Sequence, residues 1–171
     1  MHKTDVEYLQ YMWPMRHFLI TCSTVEGDAN IIAVSFCMPV SKSPPMLACA
    51  IGLGAYSCEI IGQTREFVVN VPPQDLKRQV SYCGFHSGRQ VKKFEEAGLT
   101  PEPARSVRVP IIKECVAHME CRVEQMIDTG DKRLFVRDHP RKPKLRLRNR
   151  FLGRLQHSYQ NVVLSLFAGN L

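Results

Sequence analysis

The chain has 171 residues, 44% hydrophobic and 23% charged, enough for one domain with a proper core and too few for two. That composition argues against disorder, no apolar run approaches the ~18 residues of a membrane helix, and the opening MHKTDVEYLQYMWPM lacks a signal peptide's basic start and apolar block, so a cytoplasmic protein is expected. The net charge of +7 is unevenly held: residues 1–131 carry 13 Lys+Arg against 15 Asp+Glu, while residues 132–171 carry the other 10 basic residues against Asp138 alone.

The apolar runs are short, rich in Val, Ile, Phe and Thr, and separated by turn residues, which is the signature of strands. HFLITCSTV (17–25) and IIAVSFCMPV (31–40) read as a hairpin across EGDAN. SKSPP (41–45) reads as a break, followed by a buried strand MLACAIG (46–52), a short helix YSCEIIGQTR (56–65) and a strand EFVVNVP (66–72). PQDLKRQVSYCG (73–84) has Leu76, Val80 and Cys83 at helical spacing. SGRQVKKFEEAG (87–98) reads as a second helix, capped by Ser87 and stopped by Gly98. PEPARSVRVP (101–110) is an extended connection, and VAHMECRVEQMIDTGDKRLFV (116–136) reads as two antiparallel strands joined at residues 128–131. Strands dominate with helices inserted between them, so the fold class expected is mainly β, an antiparallel barrel closed or partly closed, not a parallel sheet.

Four kinds of site can be weighed. Gly52-Leu53-Gly54 lacks the third glycine and following helix of a dinucleotide fingerprint. Cys115, His118 and Cys121 would converge on a helix, but on a strand Cys115 and Cys121 face one side and His118 the other, which disfavours a metal. No local signature selects a Cys/His nucleophile among the seven cysteines, Cys22, Cys37, Cys49, Cys58, Cys83, Cys115 and Cys121; most lie in apolar runs and are expected as reduced, buried thiols. Ser87-Gly88 with Arg89, Lys92 and Lys93 suits either an anion at a helix start or a capped surface helix, and spacing alone leaves both open.

Taken in order, HFLITCSTVEGDANIIAVSFCMPVSKSPPMLACAIG, YSCEIIGQTREFVVNVP, YCGFHSGRQVKKFEEAGL and ECVAHMECRVEQMIDTGDKRLFV resemble the flavin reductase-like, FMN-binding split-barrel family, in its flavoredoxin and ferric-reductase branch. The likeness spans roughly residues 10–136. It implies a homodimer of six-stranded antiparallel Greek-key split barrels, with FMN near the subunit interface and NAD(P)H as a transient electron donor. By the same likeness Ser35, Phe36, Cys37 and Met38 would line the isoalloxazine, and Ser41 would stand in the adjoining turn 41–45. Gly52 would belong to the Gly-rich turn before Ser57, and Ser57 and Lys93 would hold the phosphate, a directional donor and a charge. Lys92 would face solvent. Lys132 replaces a histidine common in relatives, either tuning the flavin's potential or pointing to water.

The resemblance stops after Val136, so residues 1–136 are taken as the FMN-binding domain and residues 137–171 as an atypical basic segment. That segment reads as an arm for polyanions, a solvated disordered terminus, or a stretch translated out of frame. A one-nucleotide shift in the codons of residues 136–139 allows Glu-Ile-Ile or Gly-Ile-Ile, close to the strand relatives have there. Two functions follow. One is an FMN-dependent oxidoreductase passing electrons from NAD(P)H or a redox partner to flavin, ferric iron or another acceptor, with no side chain required as catalytic acid or base. The other is a non-catalytic module whose basic tail meets nucleic acid or anionic membrane.

Overall fold

Side chains alternate between the two faces of a strand, and here the alternation sorts the apolar residues into an inner and an outer core. The structure is a computed structural model that describes Met12, residues 14–138 and the pair 146–147. In chain order its elements are β1 (Phe18–Ser23), β2 (Ala29–Val34), β3 (Cys37–Lys42), β4 (Pro45–Gly52), α1 (Tyr56–Thr64), β5 (Glu66–Val71), α2 (Lys77–Phe85), α3 (Lys93–Glu96), β6 (Pro101–Glu102), β7 (Ile111–Ile112), β8 (Ala117–Thr129), β9 (Lys132–Asp138) and β10 (Arg146–Leu147). The main sheet runs β2-β1-β5-β8-β9-β4-β3, antiparallel throughout, with β10 against the start of β8.

The expected six strands become seven along this path, for a simple reason. β2 and β3 are one descending run of chain broken at Ser35–Phe36; its first half pairs with β1 and its second with β4. The two ends of the path are therefore consecutive in sequence, and the sheet curls into six staves. Ile20, Cys22, Ile32, Val34, Cys37, Leu47, Cys49, Ile51, Phe67, Val69, Cys121 and Phe135 fill the interior. The inward set is even-numbered on β2 and odd-numbered on β3, so the break inserts one residue into the alternation.

Outside the barrel, Leu19 and Ile31 pack under α2 and α3 with Leu76, Cys83, Phe94 and Leu99, while Val68 is covered by Val109 and Ile111. The outer side of β3, β4 and β9 has no such cover among the described residues. Phe36, just before β3, and Met38 and Val40 on it are exposed, beside Met46, Ala48 and Ala50 of β4, and Leu134 and Val136 of β9.

Asn70 pins β5 to its surroundings. Fully buried, its Nδ2 donates to Leu19 O at 3.0 Å and Thr21 Oγ1 at 3.2 Å. Its Oδ1 accepts from the Ile112 N–H at 3.1 Å, which fixes that atom as the oxygen, so His118 donates to it from Nδ1 at 2.9 Å.

Three local expectations are corrected. Ser41, Lys42 and Pro45 belong to the β3–β4 hairpin, and only Ser43–Pro44 turn. The helix expected over 87–98 shrinks to Lys93–Glu96: its first half lacks an apolar stripe, and Ser87 instead closes a turn, its carbonyl accepting from Gln90 and Val91. Cys115 precedes β8 and packs in the outer core, whereas Cys121 lies in the inner one, so these two do not share a face. Among the described residues no group of three His, Cys, Asp or Glu could hold a metal, and no helix is long and apolar enough to cross a membrane. The readings of the basic tail fall almost wholly outside the described residues.

Candidate functional site

β4 delivers the chain to Gly52, and the turn through Leu53 and Gly54 starts α1 at Tyr56. Two groups of side chains flank this run, one on each side.

The first is buried. Ser57, in the first turn of α1, is sealed from solvent and accepts from Asn30 Nδ2 at 2.9 Å. Asn30 owes its position to Gly88: a Cβ there would lie 2.1 Å from Asn30 Oδ1. The Cys22 sulfur bonds to Asn30 O, and burial pushes its thiol up to about 12 against the opposing pull of Ser57 and the Lys93 charge. Lys93 is only 3% exposed, and its Nζ donates to Cys83 O at 2.8 Å. Burial holds its pKa below the usual 10.5. An ammonium carries three donors and is seldom buried unless paired. Among the described residues no carboxylate forms an ion pair with Lys93. Lys92, by contrast, has a side chain 83% exposed and reaches Glu95 at 3.8 Å. Arg89 is engaged by Glu59 and stacks 4.8 Å from the Tyr56 ring. Beside this group a cavity of about 450 Å³ is lined by Asn30, Tyr56, Gly88 and Lys92 among others.

The second group faces outward. Gly52 is paired with Lys132 across β4 and β9, and the Leu53 N–H donates to Asp131 O at 3.0 Å. Lys132 Nζ lies 5.5 Å from the Phe36 ring centroid and 2.9 Å from Asp131 Oδ2. Phe36 is 38% exposed and Met38 59%, so a flat apolar surface with one ammonium above it is presented to solvent.

The residues expected at the site thus separate. Phe36, Met38, Gly52 and Lys132 share the outer patch, and Ser57 and Lys93 share the buried one through Cys22. Ser35 turns the other way: its Oγ is 2.6 Å from His17 Nδ1, at a separate cavity of about 720 Å³ that also contains Lys77 and Phe85. Cys37 points into the barrel, packed on the inner core. Ser41 pairs with Met46 beyond a bulge, ~20 Å along β4 from Gly52 and three residues past Met38. Asn30 was not foreseen, because an asparagine closing EGDAN reads as a turn former; the Ser87-Gly88 pair was the available hint.

These residues fit FMN on one structural ground. Lys93 is a buried ammonium with no carboxylate paired to it among the described residues, and it shares the surroundings of Cys22 with Ser57, a hydroxyl in the first turn of the nine-residue α1; a charge and a hydroxyl are the donor types a phosphomonoester takes.

Comparison with known proteins gives the same direction. The model of the family described as "Flavin reductase like domain" matches residues 12–138. An uncharacterized protein of Archaeoglobus fulgidus is 40% identical over 136 residues, covering 80% of this chain and 76% of its own. The flavoredoxin of Methanosarcina acetivorans superposes with a TM-score of 0.77 at 26% identity, covering 89% of this chain and 78% of that one. An FMN-binding protein from Thermus thermophilus with bound p-hydroxybenzaldehyde gives a TM-score of 0.76 at 21% identity, over 90% and 83% of the two chains, a likeness of fold alone.

Proposed function

Because this chain belongs to the flavin reductase-like domain family, and so to the flavin-related oxidoreductases, we propose that it binds FMN and passes electrons from NAD(P)H or a redox partner to flavin, ferric iron or another acceptor. The observation that carries the reading is Lys93: an ammonium buried with no carboxylate paired to it among the described residues has donors and charge to offer an anion, and FMN ends in one. FMN would supply the electron transfer itself.

The chain's own groups have four tasks in this reading. Asn30 donates to Ser57 Oγ and thereby turns the Ser57 O–H toward other acceptors, the Cys22 sulfur among them. Lys93 adds charge at the same end. The run from Gly52 to Ser57 sets the distance between that end and the outer patch. Phe36 and Met38 shield one side of a ring from water, while Lys132, partly neutralised by Asp131, sets the charge above it.

A second copy of the chain would complete the site. The uncovered outer side of β3, β4 and β9 carries Phe36, Met38, Val40, Leu134 and Val136 around the small Ala48 and Ala50, an apolar surface of the kind that homodimers bury. Light scattering of the purified chain tests that part.

Fluorescence titration tests the core of the proposal. FMN should bind far more tightly than riboflavin, which has the same ring and no phosphate. Equal affinities would remove Lys93 and Ser57 from the site, and absence of flavin binding would remove the function. Anaerobic titration of the yellow protein with NADH and NADPH then identifies the donor.

A further inference from the structure

Cys37 and Cys49 stand directly opposite each other on β3 and β4. The phase of the ladder there is fixed by one bond, Ala50 N–H to Phe36 O at 2.8 Å, which makes Phe36 and Ala50 a hydrogen-bonded pair. One step further, Cys37 and Cys49 must form a non-hydrogen-bonded pair, where Cα atoms approach to ~4.5 Å and side chains lie closest. Two independent marks agree. The Cys37 N–H turns back to Ser35 O at 2.9 Å instead of crossing the ladder. Pro39, the next residue of the same phase, sits where no N–H is required. A separation of ~4.5 Å lies within the range spanned by disulfides, about 4.4–6.8 Å.

Both side chains point to the same face, the barrel interior, where Cys37 packs against the cluster that contains Cys49. Their exposure differs. Cys49 is fully buried, whereas Cys37 is partly open to solvent at the start of the edge strand. The Cys49 thiol holds Cys37 below the ordinary 9.0, and hydrogen bonding with Cys37 together with burial pushes Cys49 well above it. One thiol is thus reachable and acidic and the other is sequestered behind it, which is the division between an attacking and a resolving cysteine.

We propose that Cys37 and Cys49 are a redox-active dithiol that reduces low-molecular-weight disulfides and closes to a cross-strand disulfide beneath Phe36 and Met38. The Cys37 thiolate attacks one sulfur of RSSR, breaking its S–S bond, forming a mixed disulfide and releasing RS⁻, which takes up the proton Cys37 gave. Cys49 then attacks Cys37 Sγ, the mixed disulfide breaks, and the second RS⁻ leaves with the Cys49 proton. RSSR gains two electrons and two protons and becomes two RSH; the protein pair loses the same. The step needs no flavin, so its outcome is independent of the function proposed above. Cys121 is the competing thiol of this cluster, fully buried with its sulfur bonded to Met119 O at 3.2 Å.

The test uses the full chain treated with glutathione disulfide, quenched by alkylation and mapped by mass spectrometry. Two of the seven thiols should resist alkylation without a glutathione adduct, and the linked peptides should contain Cys37 and Cys49. Cys49→Ser should stop at a stable glutathione adduct on Cys37, and Cys37→Ser should leave Cys49 unmodified. A lasting adduct on wild-type Cys37, a link to Cys121 or another cysteine, or seven thiols still alkylated would each overturn the proposal. The wild-type map decides the matter even if a variant fails to fold.

Discussion

Gly88 and Asn30 are in mutual contact across the site, close enough that a methyl group on Gly88 would fall 2.1 Å from Asn30 Oδ1. Gly88→Ala should therefore displace Asn30 from Ser57. Overpacking of this kind costs about 1–3 kcal/mol. We expect a lower melting temperature together with a reduced ratio of bound flavin to chain, and Gly84→Ala, whose Cβ would meet Ala33 at an ordinary 3.4 Å, should change both far less.

Lys93 links flavin affinity to pH. Its protonated form attracts the phosphate, and burial lowers its pKa below 10.5, so affinity should decline on raising the pH before an ordinary lysine would titrate. Folding responds with the opposite sign. The unfolded chain holds this proton more tightly, so the Lys93 contribution to stability improves as pH climbs through the interval below 10.5. Lys93→Met should abolish the alkaline decline and weaken FMN roughly ten- to hundredfold, the worth of a charge-assisted bond. Its riboflavin affinity should stay put. Titrations at several pH values check both.

Asn70 is a stability residue. Replacing it with Ala leaves the Ile112 N–H and the His118 Nδ1–H without their acceptor and Leu19 O without its side-chain donor. A loss of about 2–4 kcal/mol is expected from two or more unmet buried groups. Denaturant unfolding measures it, and a loss under about 0.5 kcal/mol, the scale of ordinary surface changes, would contradict the hub.

Lys132 should act on the flavin's potential and little on its retention. Lys132→Met removes the cation lying 5.5 Å from the Phe36 ring, so reduction should become harder and the midpoint should move to more negative values. Removing Asp131 unmasks the same charge and should move it the other way. Dye-coupled reductive titrations give the two shifts.

The strands themselves were readable because short apolar runs such as FLITCS and EFVVNV are set apart by turn residues; the order in which they pair was not. The break at Ser35–Phe36 was not, since IIAVSFCMPV is apolar on both sides of it and only pairing with two different neighbours reveals the corner. Residues 87–92 misled as a helix because Ser, Gly and charged residues satisfy the cap signals without an apolar stripe to bury. Lys92 and Lys93 look identical locally, yet one is in water and the other is sealed; the family likeness separated them, and local pattern did not. The meeting of Cys37 with Cys49 depends on register, which neither segment states alone.

Ser35 is the residue out of step at the corner between β2 and β3. Before it, even-numbered side chains look into the barrel; after it, odd-numbered ones do. The whole chemical character of the edge strand hangs on that single count. Shorten the corner by one residue and the thiol of Cys37 would swing outward, while Phe36, Met38 and Val40 would be driven into an interior already filled by Leu47, Cys49 and Phe135. A surface suited to a ring and a second subunit is, in that sense, an arithmetic product of where one serine was placed.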